Sequence, residues 1–117
     1  MKKTRMLKKN YEFKKVLSKG KYYSGKNIEA FIQKNWKNNN FLGIAISTKT
    51  GKAVRRNHIK RLIRENYYSL ENQIISGYNI VFLWKKKADV KNANFHVIEA
   101  DMNYIFDKAN LKNRENK

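Results

Sequence analysis

The chain of 117 residues contains no cysteine, which excludes disulfide bonds, zinc fingers and thiol chemistry. It contains no proline either, and it is rich in Lys, Asn, Ile and Tyr, a bias that an A/T-rich genome tends to produce. No apolar run approaches the length that crosses a bilayer, and the basic N-terminus lacks the apolar segment of a secretory signal. We therefore expect a cytoplasmic protein without a membrane partner.

Acidic residues are scarce, nine against 27 Lys and Arg, which leaves a formal net charge of +18. Few soluble proteins sustain such self-repulsion without a polyanionic partner, and the candidates are nucleic acid and an anionic membrane surface. The acids are scattered, and the closest pair, Glu99 and Asp101, does not share a helix face. Hydrolytic nucleases usually need paired carboxylates for a metal or a pair of histidines, whereas His58 and His96 are far apart. We therefore predict no catalytic residue and no metal site in this chain.

Hydrophobic periodicity predicts one α+β domain over residues 1–117, ordered over about 5–110 with a polar tail at 111–117. The expected order is helix, two or three strands, helix, strand, helix. The predicted elements are a helix from an Asn10 cap to Gly20, strands at 27–34 and 41–48 with a short one possible at 21–24, a helix at about 57–70, a buried strand at 80–84 and a helix that starts at Asn92 or Asn94.

The predicted strand–helix–strand unit over 41–84 favours parallel pairing of its two strands, because the helix supplies the crossover connection. We expect one mixed sheet with its helices on one side. The first nine residues are basic and are expected to be frayed at the start.

Arginine is concentrated in one segment, since four of the six arginines lie between residues 55 and 64 while lysine occurs throughout. A nucleotide bias inflates lysine but does not cluster arginine, whose planar guanidinium binds phosphate in a bidentate manner. On a helix, five polar or basic side chains of this segment cover an arc of about 140°, namely those of Arg56, Asn57, Lys60, Arg61 and Arg64. The segment predicts a phosphate-binding surface formed by Lys49, Lys52, Arg55, Arg56, Asn57, Lys60, Arg61 and Arg64.

The alternative for this segment is a solvated helix face whose charges only keep the protein soluble. Seven basic residues precede Glu65 in it, and a face without carboxylates one turn away repels itself, so we favour the phosphate-binding interpretation. His58 lies inside the segment, where we expect a further contact or a spacer rather than a general base.

Aromatic residues alternate with lysines near the N-terminus, where Phe13, Tyr22, Tyr23 and Phe31 are interleaved with Lys14, Lys15, Lys21 and Lys26. Unstacked nucleotides suit such a pattern, because bases stack on rings while lysines follow the backbone. The alternative is that Phe13 and Phe31 only pack the core.

The run Lys49-x-Gly51-x-Ala53-Val54-x-Arg56-Asn57-x-x-Lys60-Arg61-x-Ile63-Arg64-Glu65 resembles the signature of the bacterial ribonuclease P protein family. The run Leu7-Lys8-Lys9-Asn10-x-x-Phe13-x-x-Val16, followed by Gly20, is also similar to that family. The resemblance implies an α-β-β-β-α-β-α sandwich like domain 2 of ribosomal protein S5, with a mixed sheet and a left-handed βαβ crossover.

The resemblance also implies a function, that of the protein subunit of an endoribonuclease that removes the 5′ leader from precursor tRNA. Its partners would be the catalytic RNA subunit and the single-stranded leader, with no protein partner required. The RNA would perform the chemistry and hold most of the Mg²⁺. By position, the arginine-rich helix would face the RNA subunit, and the leader would contact Phe13, Lys14, Leu17 and Phe31.

Three other functions fit parts of the pattern. A small ribosomal protein shares the charge and the α+β plan, a self-sufficient protein nuclease would act without RNA, and a non-specific DNA-binding protein would meet the same phosphates.

The unbalanced charge predicts that folding depends on anions. At low ionic strength much of the chain should be unfolded, and sulfate or phosphate should fold it by binding the native state. Circular dichroism in dilute buffer, with and without sulfate, measures this dependence. Full structure in dilute buffer that sulfate leaves unaltered would contradict it.

Overall fold

Five strands form one mixed sheet in a computed structural model that describes residues 4–113. The strands are β1 (Thr4–Met6), β2 (Lys21–Ser24), β3 (Ile28–Lys34), β4 (Asn40–Ala45) and β5 (Tyr78–Trp84). Their spatial order is β1-β4-β5-β3-β2. β4 pairs in parallel with both β1 and β5, whereas β3 is antiparallel to β5 and to β2. The predicted parallel pairing across the strand–helix–strand unit is therefore confirmed.

Three helices cover the sheet: α1 (Asn10–Lys19), α2 (Ala53–Leu70) and α3 (Phe95–Lys108). Side chains from α2 and α3 join the larger buried cluster with Ile80 and Phe82 of the central strand. Val16 of α1 instead packs on Val81, whose side chain points to the opposite face. The prediction of helices on one side was wrong, because α1 covers the other face of the same sheet.

The N-terminal segment contains a strand that the sequence did not predict, since Thr4–Met6 forms an edge strand beside β4. The fraying expected at the start of residues 1–9 concerns residues 1–3, which lie outside the described part of the chain. The Thr4 hydroxyl bonds to the Tyr67 hydroxyl at 2.8 Å and to the Glu71 carboxylate, which ties β1 to the end of α2. Burial raises the pKa of Tyr67, so this hydroxyl stays protonated and available as a donor. Three residues are too few to give a strand signal of their own, and tertiary contacts decide the outcome.

Several element ends also differ from the predictions. α1 is preceded by Lys9, not capped by Asn10, and the Glu12 carboxylate accepts the backbone N–H groups of Lys8 and Lys9 at 3.0 Å each. α2 begins at Ala53, earlier than predicted, and β4 ends at Ala45.

The polar tail was expected from residue 111, but Leu111 is buried and Lys112 forms a bridge with Ile74. Leu111 is an apolar side chain that joins the larger buried cluster between the sheet, α2 and α3, which we call the α2–α3 core. Its burial extends the ordered chain past the end of α3. Residues 114–117 of that predicted tail lie outside the described part of the chain.

The segment between β2 and β3 is held by one buried carboxylate. Asp101 of α3 accepts backbone N–H bonds from Lys26, Asn27 and Ile28 at 3.1, 2.6 and 3.1 Å. A buried carboxylate with three donors is well stabilised, and it fixes the entry into β3. Among residues 4–113, no helix is both long enough and apolar enough to cross a bilayer.

Asp101→Ala should lower the free energy of unfolding by about 2–4 kcal/mol, because three backbone donors lose a charged acceptor. Urea denaturation at a fixed sulfate concentration measures the change. Asp107→Ala is the matched control on the same helix, since the exposed Asp107 carboxylate only lies 3.7 Å from Lys112 Nζ. Equal midpoints for the two variants would contradict the role of Asp101.

Candidate nucleic-acid interface

Helix α2 separates an apolar face from a basic one. Its inward face buries Ile59, Leu62, Ile63, Tyr67 and Leu70 against the sheet and α3, as the periodicity predicts. The predicted phosphate-binding residues lie on the other face and on the segment before the helix. Six of them are exposed, namely Lys49, Lys52, Arg55, Asn57, Arg61 and Arg64, and two are half-buried, Arg56 and Lys60.

The turn before α2 gives this face its shape. Gly51 has a φ of 155°, a backbone conformation that side chains disfavour, and the helix starts two residues later. The Arg56 guanidinium turns back and donates to the Gly51 carbonyl at 2.7 Å. Arg56 therefore has a structural contact in addition to its predicted role. Gly51, Lys52, Arg55 and His58 line an open groove of about 730 Å³ at this end of the helix.

Carboxylates hardly neutralise the basic face. The Arg61 Nε lies 3.9 Å from Glu65 Oε2, with 60% and 55% of the two side chains exposed, so the pair contributes little. Within residues 4–113, no carboxylate lies within ion-pair distance of Arg55, Lys60 or Arg64. The guanidinium groups of α2 thus remain available to an external polyanion.

His58 contacts an arginine of the same helix, because Arg61 Nη2 lies 3.2 Å from His58 Nδ1. A guanidinium can only donate, so His58 Nδ1 is the acceptor in this contact. The imidazole therefore positions Arg61, and the described residues place no carboxylate beside it that would make it a general base.

The second predicted group lies on the opposite face of the sheet. Phe13 and Leu17 of α1 and Phe31 of β3 are half-buried around a small cluster of Leu7, Val16 and Val81, while Lys14 is exposed. These rings pack a core and still keep part of their surface open, so the stacking of nucleotides on them stays a prediction. The sheet separates this apolar surface from the basic face of α2.

The remaining aromatic candidates divide between the two faces. Tyr22 lies 5.2 Å from Phe31 between ring centroids, and its hydroxyl donates to Glu29 at 2.5 Å. That hydrogen bond raises the pKa of Tyr22, so the hydroxyl is protonated. Tyr23 packs instead against the α2–α3 core. Of these two tyrosines, Tyr22 therefore extends the Phe31 surface.

The sequence interpretation missed Phe41, which joins the cluster on the α1 face. Strand alternation could have found it, because Phe41 and Gly43 must point away from buried Leu42. A glycine is required at position 43 for a steric reason, since a Cβ there would lie 2.7 Å from Phe13 Cε2. The small residue lets the Phe13 ring approach β4 closely.

The acidic residues that the structure describes are dispersed. Within residues 4–113, no group of three or more His, Asp or Glu side chains could hold a metal ion. Asp101, half of the closest acidic pair in the sequence, is bound to backbone N–H groups.

Fold and surface together define a small basic α+β protein that presents an uncompensated arginine-rich helix on one face and an apolar cluster on the other. The ribonuclease P family model matches residues 1–110. The ribonuclease P protein component of Clostridium botulinum strain Loch Maree is 37% identical over 108 residues, 92% of this chain and 96% of that protein. The component from Clostridioides difficile is 34% identical over 109 residues, 92% of this chain and 94% of that one.

Solved structures agree with the sequence relatives. The RNase P protein of Staphylococcus aureus superposes with a TM-score of 0.80 at 28% identity, covering 92% of this chain and 97% of that one. The RNase P protein of Thermotoga maritima gives 0.77 at 27% identity, with 86% and 94% covered. The chain belongs to the ribonuclease P protein family, and its biological setting is tRNA processing.

Proposed function

We propose that this chain is the protein subunit of a ribonuclease P holoenzyme whose RNA subunit performs the cleavage. The protein would bind the catalytic RNA through the basic face of α2 and hold the 5′ leader of precursor tRNA on the α1 face. The observation that carries this proposal is the row of exposed guanidinium groups that meets almost no carboxylate. Releasing condensed counterions from RNA phosphates would reward that arrangement.

The leader assignment rests on the half-buried rings of Phe13 and Phe31 beside Leu17. Each offers an apolar surface to an unstacked base, and exposed Lys14 lies on the same helix to meet the phosphates. The sheet between the two faces would let the protein contact the RNA subunit and the leader at the same time.

We assign the Mg²⁺ of the reaction mainly to the RNA subunit, because the described residues offer no cluster of ligands for it. The chain would assist by improving substrate binding, and none of its residues is assigned a chemical step. A cytoplasmic location follows from this role and remains part of the proposal.

Two alternative functions are those of a self-sufficient protein nuclease and of a ribosomal protein. One cleavage assay distinguishes both of them from the proposed function. Precursor tRNA should be cleaved at low Mg²⁺ by this protein together with a bacterial catalytic RNA, and by neither alone. Phe31→Ala should weaken precursor binding by about 1–3 kcal/mol, because a stacking surface is lost. Mature tRNA, which lacks the leader, is the matched control. Cleavage by the protein alone, or no effect of the protein on the RNA, would refute the proposal.

Arg61→Ala should weaken binding to the catalytic RNA by about 1–3 kcal/mol and reduce the slope of log affinity against log salt by about one unit. Filter binding over a range of salt concentrations measures both quantities.

Lys19→Ala is the control for this variant, because it removes one exposed charge from α1, on the other face of the sheet. An unchanged salt slope for a folded Arg61 variant would contradict the proposal that α2 binds the catalytic RNA.

A further inference from the structure

A second aromatic and basic surface surrounds Phe41, beside the start of α1. The inner side of this half-buried ring packs on the cluster that includes Phe13 and Phe31. Its outer side lines two adjoining grooves, one of about 170 Å³ with Tyr11, Lys15 and Lys37, and one of about 490 Å³ with Arg5 and Lys8. We refer to these six residues as the Phe41 groove.

The Phe41 groove is strongly cationic. The side chains of Arg5, Lys8, Lys15 and Lys37 are all exposed, and Lys37 Nζ lies 5.3 Å from the centre of the Phe41 ring. Among the described residues that line it, the acid is Glu12, whose carboxylate accepts the backbone N–H groups of Lys8 and Lys9. Those hydrogen bonds hold the pKa of Glu12 below its ordinary value, so it serves as a helix cap. Four cations thus surround one ring and one committed carboxylate.

Hydrogen bonds of the Asn35 side chain hold the loop backbone at Lys37. The Asn35 side-chain oxygen accepts the Lys37 N–H at 2.7 Å, and the Asn35 amide donates to Asn79 Oδ1 at 2.9 Å and to the Asn39 carbonyl at 3.1 Å. The loop between β3 and β4 is therefore tied to β5. A lysine on such a loop loses less conformational freedom when it binds a ligand.

We propose that the Phe41 groove binds the part of the precursor tRNA leader that lies upstream of the segment held at Phe13 and Phe31. This inference rests on the proposed function and extends it. Bases would stack on Phe41 and on Tyr11, a ring that is 66% exposed, and phosphates would meet the four cations. Single-stranded RNA fits better than a duplex, because paired bases cannot offer their faces to these rings.

Continuity with the α1 surface favours the leader over the RNA subunit as the occupant. Phe41 belongs to the same cluster as Phe13 and Phe31, so a strand that leaves those rings meets Phe41 next. The basic face of α2, which we assign to the RNA subunit, lies across the sheet.

The test uses the reconstituted holoenzyme and precursors with leaders of about five and about fifteen nucleotides. Wild-type protein should bind the longer precursor more tightly. Lys37→Ala and Phe41→Leu should each reduce that gain by about fivefold or more, since a cation or a stacking ring is lost. Lys37 is exposed, so its variant tests the proposal even if Phe41→Leu unfolds the chain.

The matched controls are Lys108→Ala and Tyr104→Leu. They remove a similar pair from α3, where Lys108 Nζ lies 5.8 Å from the Tyr104 ring, on the opposite face of the sheet. Equal loss of the gain in the controls and in the groove variants would overturn the proposal.

A photoreactive benzoyl-phenylalanine at position 11 identifies the RNA that occupies the groove. Crosslinks to upstream leader nucleotides support the proposal, whereas crosslinks to the RNA subunit alone, or no crosslink to either RNA, overturn it. The Phe31→Ala variant distinguishes failure of the groove assignment from failure of the proposed leader binding at Phe13 and Phe31. If Phe31→Ala weakens both leaders and Lys37→Ala leaves the gain intact, only the groove assignment fails. If Phe31→Ala weakens neither, the leader surface itself is wrong.

Discussion

Carboxylates are scarce in this molecule, and most of the described ones make contacts within the fold. The distribution of uncompensated positive charge depends on this constraint. Asp101 holds the entry into β3, Glu12 caps α1, Glu71 bonds to Thr4, and Glu29 accepts from Tyr22. With these acids engaged in the fold, Glu65 remains as the loose partner of one arginine on α2. The arginine cluster on α2 is therefore left almost without internal compensation.

The sheet converts that imbalance into two different surfaces. β5 lies in the middle of the strand order, and its alternating side chains point to the α2–α3 core through Ile80 and Phe82 and to the α1 cluster through Val81. The guanidinium groups of α2 consequently lie on one side, and half-buried rings with basic side chains around them lie on the other. In the proposed holoenzyme, a folded RNA and a single strand would each meet the surface whose chemistry suits it.

Local contacts shape both surfaces. Gly51 lets the chain turn into α2 while its carbonyl binds Arg56, and Gly43 leaves room for the Phe13 ring. Asn35 fixes the loop that carries Lys37. The Arg56 side chain and the backbone at Lys37 are thus held before any partner arrives, which lowers the entropy that binding must overcome.

The sequence alone predicted the features that depend on local pattern. The two faces of α2 follow from periodicity, the parallel pairing of β4 and β5 follows from the helix between them, and the arginine cluster is visible without any structure. The family also follows from residues in a row, because its signature is contiguous in the chain.

Only the tertiary structure decided what depends on contacts between distant residues. The side of the sheet that α1 covers, the pairing of Thr4–Met6 with β4, and the burial of Leu111 have no local signal. The same holds for Phe41, which becomes part of a surface only when α1 brings Phe13 and Tyr11 beside it. Such placements depend on which apolar faces meet across the whole chain, and short segments do not contain that information.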